Sequence, residues 1–499
     1  MQLYEKLTFL MNLTQTSNRM MARELRVDPS LISRLRTGKR GLPRNRDHVR
    51  GMAAYLSKRC ATEYQRQALS EMLGMKRSLA MKNDQLSEIL YYWLCGDIDE
   101  LGGFMRTFET FEIATVKSEP AADPCRLSTG TTIYYDNEGK RAAAKTVYQH
   151  LRTLEHPGTI LIFDDEADDW ILEDGEFTLH LQEWGQDLLQ RGFRIIQITP
   201  PVFSADQAFE SLIRWLPLYM TGLTDAYYYP RIRDHVHRRL LVAVPGEVAM
   251  MSSSIAGRRS SYSTLLTTER RLIQAYEAEF QDYLSMCRPM LNTYTRQDEQ
   301  LQCFTRFRDC SGSWIQKQSC LSLETAPPEV LRFLIESSQD LSSKRLYEFY
   351  LREKSLIEKE WRAHELLDIV TLASPEDVRC GKVPALQPGG GVYYTPETYV
   401  LHLKNIVRMM ETCENYHFIP VQDRREKSGA LMVKESQRAL LVRTAAPFTV
   451  FEMVQPEIVA FCREYLLRIA DRSGYTGLHR AKTLSHLREL IRELQQDGD

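Results

Sequence analysis

At 499 residues the chain is too long for one hydrophobic core and is expected to divide into about three domains. Its 43% hydrophobic and 26% charged residues are ordinary for a globular protein, and no run of about 18 apolar residues is present to span a membrane. The net charge of −2 hides a segregation: residues 1–60 hold 13 Lys or Arg against 4 Asp or Glu, a net of +9, so the other 439 residues carry about −11. A basic module on an acidic body points to a polyanion as partner for the first and something else for the second.

The opening "MQLYEKLTFLMNLTQ" lacks the long apolar stretch and small-residue cleavage site of a signal peptide, so a cytoplasmic protein is expected. Ten cysteines are scattered without a C-x-x-C pair. Cys303, Cys310 and Cys320 lie closest, and reduced thiols are expected there.

The first helix signals lie in "SNRMMARELRVDPSLISRLRTGKR", residues 17–40. Thr16 or Ser17 caps a short helix, Ala22 is small where two helices cross, and Val27 plugs the turn that follows. Asp28 caps a second helix, Pro29 fits its first position and Gly38 stops it, giving a helix from about Pro29 to Thr37. At 100° per residue, Ile32 and Leu35 share the buried face, while Ser30, Ser33, Arg34 and Thr37 share the other.

Ala22, Val27, Ile32, Ser33 and the closing "RTGKR" resemble the lambda-repressor-like (Cro/C1-type) helix-turn-helix family over residues 1–60. The resemblance implies that the second helix of the pair enters the DNA major groove. It implies Asn18, Lys39 and Arg40 on the phosphate backbone, Ser30, Ser33 and Arg34 facing bases with Thr37 beside them, and Leu31 meeting a thymine methyl. The alternative is an ordinary helical bundle with a solvated basic face.

Helical patterns continue through a connector, 61–115, and "VKSEPAADPCRLSTGT", 116–131, reads as a linker. Strands then alternate with helices from "TTIYYD" to "EVAMMSSS", predicting an α/β domain over 128–260. Residues 262–378 read mainly as helices, so 261–380 is a helical region; "CGKVPALQPGGG", 380–391, is a second linker. A second α/β segment with C-terminal helices occupies 390–499 and loosely echoes the first. The expected fold class is therefore multidomain α and α/β: an all-α helix-turn-helix bundle, then a two-part α/β body with a helical insertion.

Few motifs in the body carry chemistry. "TILIFDDEADDW" has the look of a Walker B strand, but "DNEGKRAA" supplies only Gly139-Lys140 of a phosphate-binding loop, and Asp169 stands where a calcium loop needs glycine. A solvated acidic loop at a strand end is expected, with a cation or amine as the ligand it could hold. "HVHRRLLVAVPGEVAMMSSS" is similar to the phospholipase D pattern H-x-K-x4-D-x6-G-S-x-N. Starting at His237, Arg239 stands for the lysine, Val244 for the aspartate, Met251 for the glycine, Ser252 for the serine and Ser254 for the asparagine. That family builds one site from two complete motifs, with a histidine nucleophile; the lysine and carboxylate are replaced here, and "LMVKESQRALLVRT" contains no H-x-K. The resemblance implies a phospholipase-D-like body that has lost catalysis.

Segments "WLPLYMTG" and "YYYP" are similar to long helix-turn-helix regulators of Firmicutes. Tyr228, His237, Arg239, Ser252 and Ser254 are the candidate effector-binding residues. Trp170, Trp184 and Trp215 fit core positions, and His235 and His237 lack a third ligand at zinc-site spacing, so no metal and no cofactor is expected. The expected protein is not an enzyme: it is a homodimeric transcriptional regulator that binds an inverted repeat in double-stranded DNA, its body sensing a small-molecule effector or mediating assembly. The rivals are a DNA-tethered regulator whose body recruits a protein, and a phospholipase-D-type phosphodiesterase.

Overall fold

The computed structural model describes residues 3–40, 46–73, 86–87, 90–91, 93–94, 100–111, 125–166, 169–200, 205–230, 236–255, 262–385, 392–421, 429–435, 437–445, 447–473 and 479–496. They fall into two units, Met1–Glu100 and Leu101–Asp499.

The first unit is helical: α1 (Leu3–Leu13), α2 (Asn18–Leu25), α3 (Pro29–Arg36), α4 (Arg46–Arg59) and α5 (Glu63–Leu73). Ser17 caps α2, its Oγ accepting from the Met20 N–H at 3.2 Å, whereas Thr16 is buried and bonded to Thr14. Asp28 caps α3 by accepting from the Ser30 N–H at 2.7 Å, and Pro29 opens it where a missing N–H costs nothing. Helix α3 ends at Arg36, with Thr37 as its cap, one residue earlier than expected. Arg26 turns the chain between α2 and α3 at φ 52°, a left-handed conformation that a non-glycine residue rarely adopts. Leu7, Leu10, Met21, Ala22, Ile32 and Leu35 form the core with Val49, Met52 and Leu56 of α4. Gly51 lets α4 approach α2, since a Cβ there would lie 2.4 Å from a Leu25 methyl.

The second unit is built on one 14-stranded sheet that repeats itself. The first half contains β1 (Thr131–Tyr135), β2 (Thr159–Asp164), β3 (Arg194–Thr199), β4 (Thr224–Tyr228), β5 (His237–Val244), β6 (Val248–Ile255) and β7 (Ser263–Thr267). The second contains β8 (Arg288–Tyr294), β9 (Trp314–Gln318), β10 (Leu366–Thr371), β11 (Tyr416–Val421), β12 (Ala430–Lys434), β13 (Arg438–Arg443) and β14 (Thr449–Met453). The order β1-β7-β6-β5-β2-β3-β4 is followed by β8-β14-β13-β12-β9-β10-β11, the same permutation twice. Strand senses match as well: β2-β3-β4 and β9-β10-β11 are parallel triplets and every other neighbour is antiparallel.

The expected echo between two α/β segments is thus a full duplication, but its second copy begins at Arg288 rather than near 390. Residues 262–378, read as mainly helical, contribute β7, β8, β9 and β10. These strands of five to seven residues sit between much longer helices, whose periodicity dominates the sequence texture.

Helices cover both faces. In the first half α7 (Asp136–Leu151) and α8 (Gly175–Gln190) lie on one face, α9 (Ala205–Tyr219) lies beside them, and α10 (Arg270–Met286) lies on the other face. In the second, α11 (Gln297–Asp309), α12 (Pro328–Ser337), α13 (Leu341–Ala363), α14 (Pro396–Thr412) and α16 (His479–Gln496) share one core, and α15 (Pro456–Arg472) lies in the other. Because β4 and β8 pair antiparallel, the second half is turned over, and the face under α7 and α8 continues into the face under α15.

The 61–115 stretch is not a simple connector. Its α6 (Glu100–Thr110) packs Phe104 and Phe108 against Phe451 of β14, and Glu109 accepts from the N–H groups of Thr444 and Ala445 at 2.9 and 2.8 Å. Residues 116–124 of the first linker and 386–391 of the second lie outside the described residues. Among the described residues no helix is long and apolar enough to cross a membrane, and the described cysteines are free thiols.

Candidate functional site

The caps at Ser17 and Asp28 fix the start of α2 and α3, and burial of Ile32 and Leu35 fixes the rotation of α3. That rotation leaves Ser30, Arg34 and Thr37 exposed, with Ser33 and Leu31 half-buried at the margin. Arg34 lies back along the helix, its Nε donating to the Ser30 carbonyl at 3.3 Å and Nη2 reaching Ser30 Oγ at 3.4 Å. Thr37 Oγ1 donates to the Ser33 carbonyl at 2.9 Å. Lys39 and Arg40 are exposed beyond the helix end without an acidic partner among the described residues, and Asn18 is half-buried at the first position of α2. The eight residues singled out for DNA therefore occupy α3, its C-terminal exit and the start of α2. Exposed Arg19, Arg23 and Arg26, not singled out from sequence, add to the positive charge of α2 and the turn.

The five effector candidates do not converge. His237 is exposed at the start of β5. Arg239 lies on the α10 face, where Glu279 takes its guanidinium through both Nη atoms, Nη2 at 2.9 Å. Tyr228 is buried in the core that includes α9 and α15. Only Ser252 and Ser254 share a partner, donating to Glu166 Oε1 at 2.9 and 3.3 Å. His235 lies outside the described residues, and among those described no three His, Cys, Asp or Glu are placed to hold a metal ion.

Glu166 corrects the reading of "DDEADDW" as a solvated loop. Asp165 and Glu166 are buried, and Glu166 forms an ion pair with Lys140, whose side chain has no exposed surface. The Lys140 ammonium also lies 5.0 Å from the ring centres of both Trp170 and Tyr262. Burial pushes it down to about 7, against the pull of the Asp164 carboxylate. The opposite charges of "EGKR" and "DDE" are the signal for this pair, but neither segment by itself shows that the other is its partner. Helix α7 brings them together by folding back from β1 over β7 and β6.

Beside this pair lies a cavity of about 160 Å³ between β2, β3, β5 and the helices α7, α8 and α9. Tyr148, Trp170, Trp184 and Trp215 line it, with Asp164 and Gln197 as polar members. The three tryptophans do occupy helix and core positions, as expected, and they wall this space as well.

The second half carries buried polar groups of another kind. Asp368 accepts from Gln316 at 2.9 Å, Ser322 at 2.8 Å and Tyr416 at 3.1 Å, while Glu324 accepts from Tyr350 at 2.9 Å and Gln318 at 3.2 Å. Burial raises Glu324 to about 7 and Asp368 to about 6. His402 is held neutral, pushed down to about 3 by burial, between Thr325 and Tyr394 at 2.9 Å each.

No protein-family model matches the chain, and no curated protein does. One solved structure similar in part is TrmBL2, described as an archaeal chromatin protein with a novel mode of DNA binding. It is 9% identical with a TM-score of 0.24, over 32% of this chain and 55% of that one, so the match spans about half of that protein's length. A superposition that loose carries nothing over to this chain.

Proposed function

We propose that the chain is a sequence-specific DNA-binding transcriptional regulator whose first unit reads DNA through α3. The observation that carries this reading is the surface of that helix: Ser30, Arg34 and Thr37 stand exposed above a buried Ile32 and Leu35, and Lys39 and Arg40 follow immediately. In a helix-turn-helix placement the exposed face meets base edges, while Asn18, Lys39 and Arg40 hold phosphates and set orientation. One such helix offers few base contacts, each discriminating by about 1–3 kcal/mol, too little to select one site in a genome. A homodimer on an inverted repeat doubles them, and the second unit supplies the two-fold contact. A small-molecule effector bound to that unit, or its assembly, then sets DNA affinity; the protein works in the cytoplasm.

A phosphodiesterase is the weaker reading. The duplicated sheet favours a phospholipase-D-like plan, but Glu279 occupies the guanidinium that stands for the phosphate-holding lysine, and the second half carries no H-x-K. The body is read as non-catalytic.

The test is selection of the full chain's preferred site from random duplexes, followed by Arg34→Ala. Specificity should relax at the same base in both half-sites, by about 1–3 kcal/mol at each. A uniform loss on every sequence would move Arg34 to the backbone, and a single occupied half-site would remove the dimer.

A further inference from the structure

The two halves of the sheet can be superposed in plan, and at one place they differ in volume. Over β2, β5 and β6, the helices α7 and α8 leave the cavity of about 160 Å³. At the corresponding place in the second half, bounded by Phe304 of α11, Tyr350 of α13 and Met432 of β12, the space is about 20 Å³. A further space of about 340 Å³ in the second half, beside Phe304, Leu346 and Phe448, is of another kind, since Gln297, Gln300, Asp340 and Ser342 make its lining polar.

The walls specify what fits. A space of about 150 Å³ lined by apolar side chains is enough to hold one benzene-sized molecule. Here most of the lining is aliphatic, with the rings of Tyr148, Trp170, Trp184, Trp215 and Tyr219 among it, so a guest is held by close apolar contact. Tyr148 stacks on Trp184 with ring centres 5.0 Å apart and planes 10° apart, which fixes the orientation of the indole. The Trp184 Nε1 atom is itself sealed from water, so the indole offers the cavity its carbon surface and not its N–H. Lys140, the cation at the Asp164 end, is taken by Glu166, so an anionic guest would find no free cation there.

We infer that this cavity is a binding site for a small apolar molecule, about the size of a single ring. The site deepens the effector reading, on which only its consequence for DNA rests. Its walls come from α7, α8, α9, the short turn of helix Asp169–Leu172 and the strands beneath, so a guest would tie these helices to the sheet.

The experiment is calorimetric titration of the full chain with phenol and with toluene. Both should bind once per chain with saturable heat. Ala144→Phe, which fills the cavity from α7, should weaken both at least tenfold while leaving the unfolding midpoint unchanged or raised; Val147→Phe fills the same space from the next turn should the first variant not fold. No saturable binding by the wild type, or wild-type binding by both filled variants, would overturn the site. Binding that leaves DNA affinity unaltered would uphold the site and remove its regulatory consequence.

Discussion

The small helical unit and the large sheet unit direct their polar side chains in opposite ways. Around α3 they face outward: Arg34, Lys39 and Arg40 are exposed, and the last two have no acidic partner among the described residues. In the sheet unit several face inward, where Lys140 meets Glu166, and Asp368 and Glu324 collect donors. A charge kept in water without a partner remains free to meet another molecule, whereas a charge taken from water must be answered within the chain. The contrast separates charges left in water from groups that hold a fold.

The largest effect should come from breaking a buried pair. Lys140→Met leaves Glu166 without its cation and should cost about 3–5 kcal/mol in denaturant unfolding of the full chain. Removing both charges in Lys140→Met with Glu166→Gln should recover a large part of that loss. A cost below about 1 kcal/mol would mean that the pair behaves like a surface bridge.

The second half should respond to pH instead. With Asp368 raised to about 6, the folded chain keeps a proton that the unfolded chain has already lost near its ordinary value of 3.8. Below that value neither state pays; as pH rises towards 6 the folded state loses stability, and above 6 the penalty is complete. His402, held neutral, works in the other direction, so the comparison is made against a variant. The stability of Asp368→Asn relative to wild type should therefore rise between about pH 4 and 6, by up to about 3 kcal/mol, and then level off. A flat difference across that range would show that Asp368 titrates normally.

The contrast between units was only partly legible in the sequence. The caps at Asp28 and Pro29 and the period that buries Ile32 and Leu35 are local, and local signals placed α3 to within one residue. Charge segregation was additive and needed no geometry. What failed was long-range: the pairing of Lys140 with a residue 26 positions away, and the strands β8 to β10 hidden among long helices. The duplication surfaced only as a loose echo because strand order depends on pairing between distant segments. The cavity was illegible for a related reason, since a volume is defined by what several elements fail to fill. Arg26 in a left-handed turn was also missed, because nothing in "ELRVD" asks for positive φ.

Arg26 gives the smallest effect on stability, and one of opposite sign. Arg26→Gly removes a side chain from a conformation glycine adopts freely and should stabilise the first unit by about 1 kcal/mol. If the arginine serves the recognition surface, the same variant should bind DNA less tightly despite being more stable. Equal or tighter DNA binding would assign Arg26 to the turn alone.

The central claim, that the outward-facing cations of the first unit bind DNA, is tested most directly by a salt titration of duplex binding. The wild-type full chain should lose affinity steeply as salt rises, with each neutralised phosphate adding nearly one unit to the log–log slope. Replacing Lys39 and Arg40 together with alanine should weaken binding to all sequences alike and flatten that slope by about two units. An unchanged slope, or a wild-type chain that does not bind duplex DNA at low salt, would contradict the account.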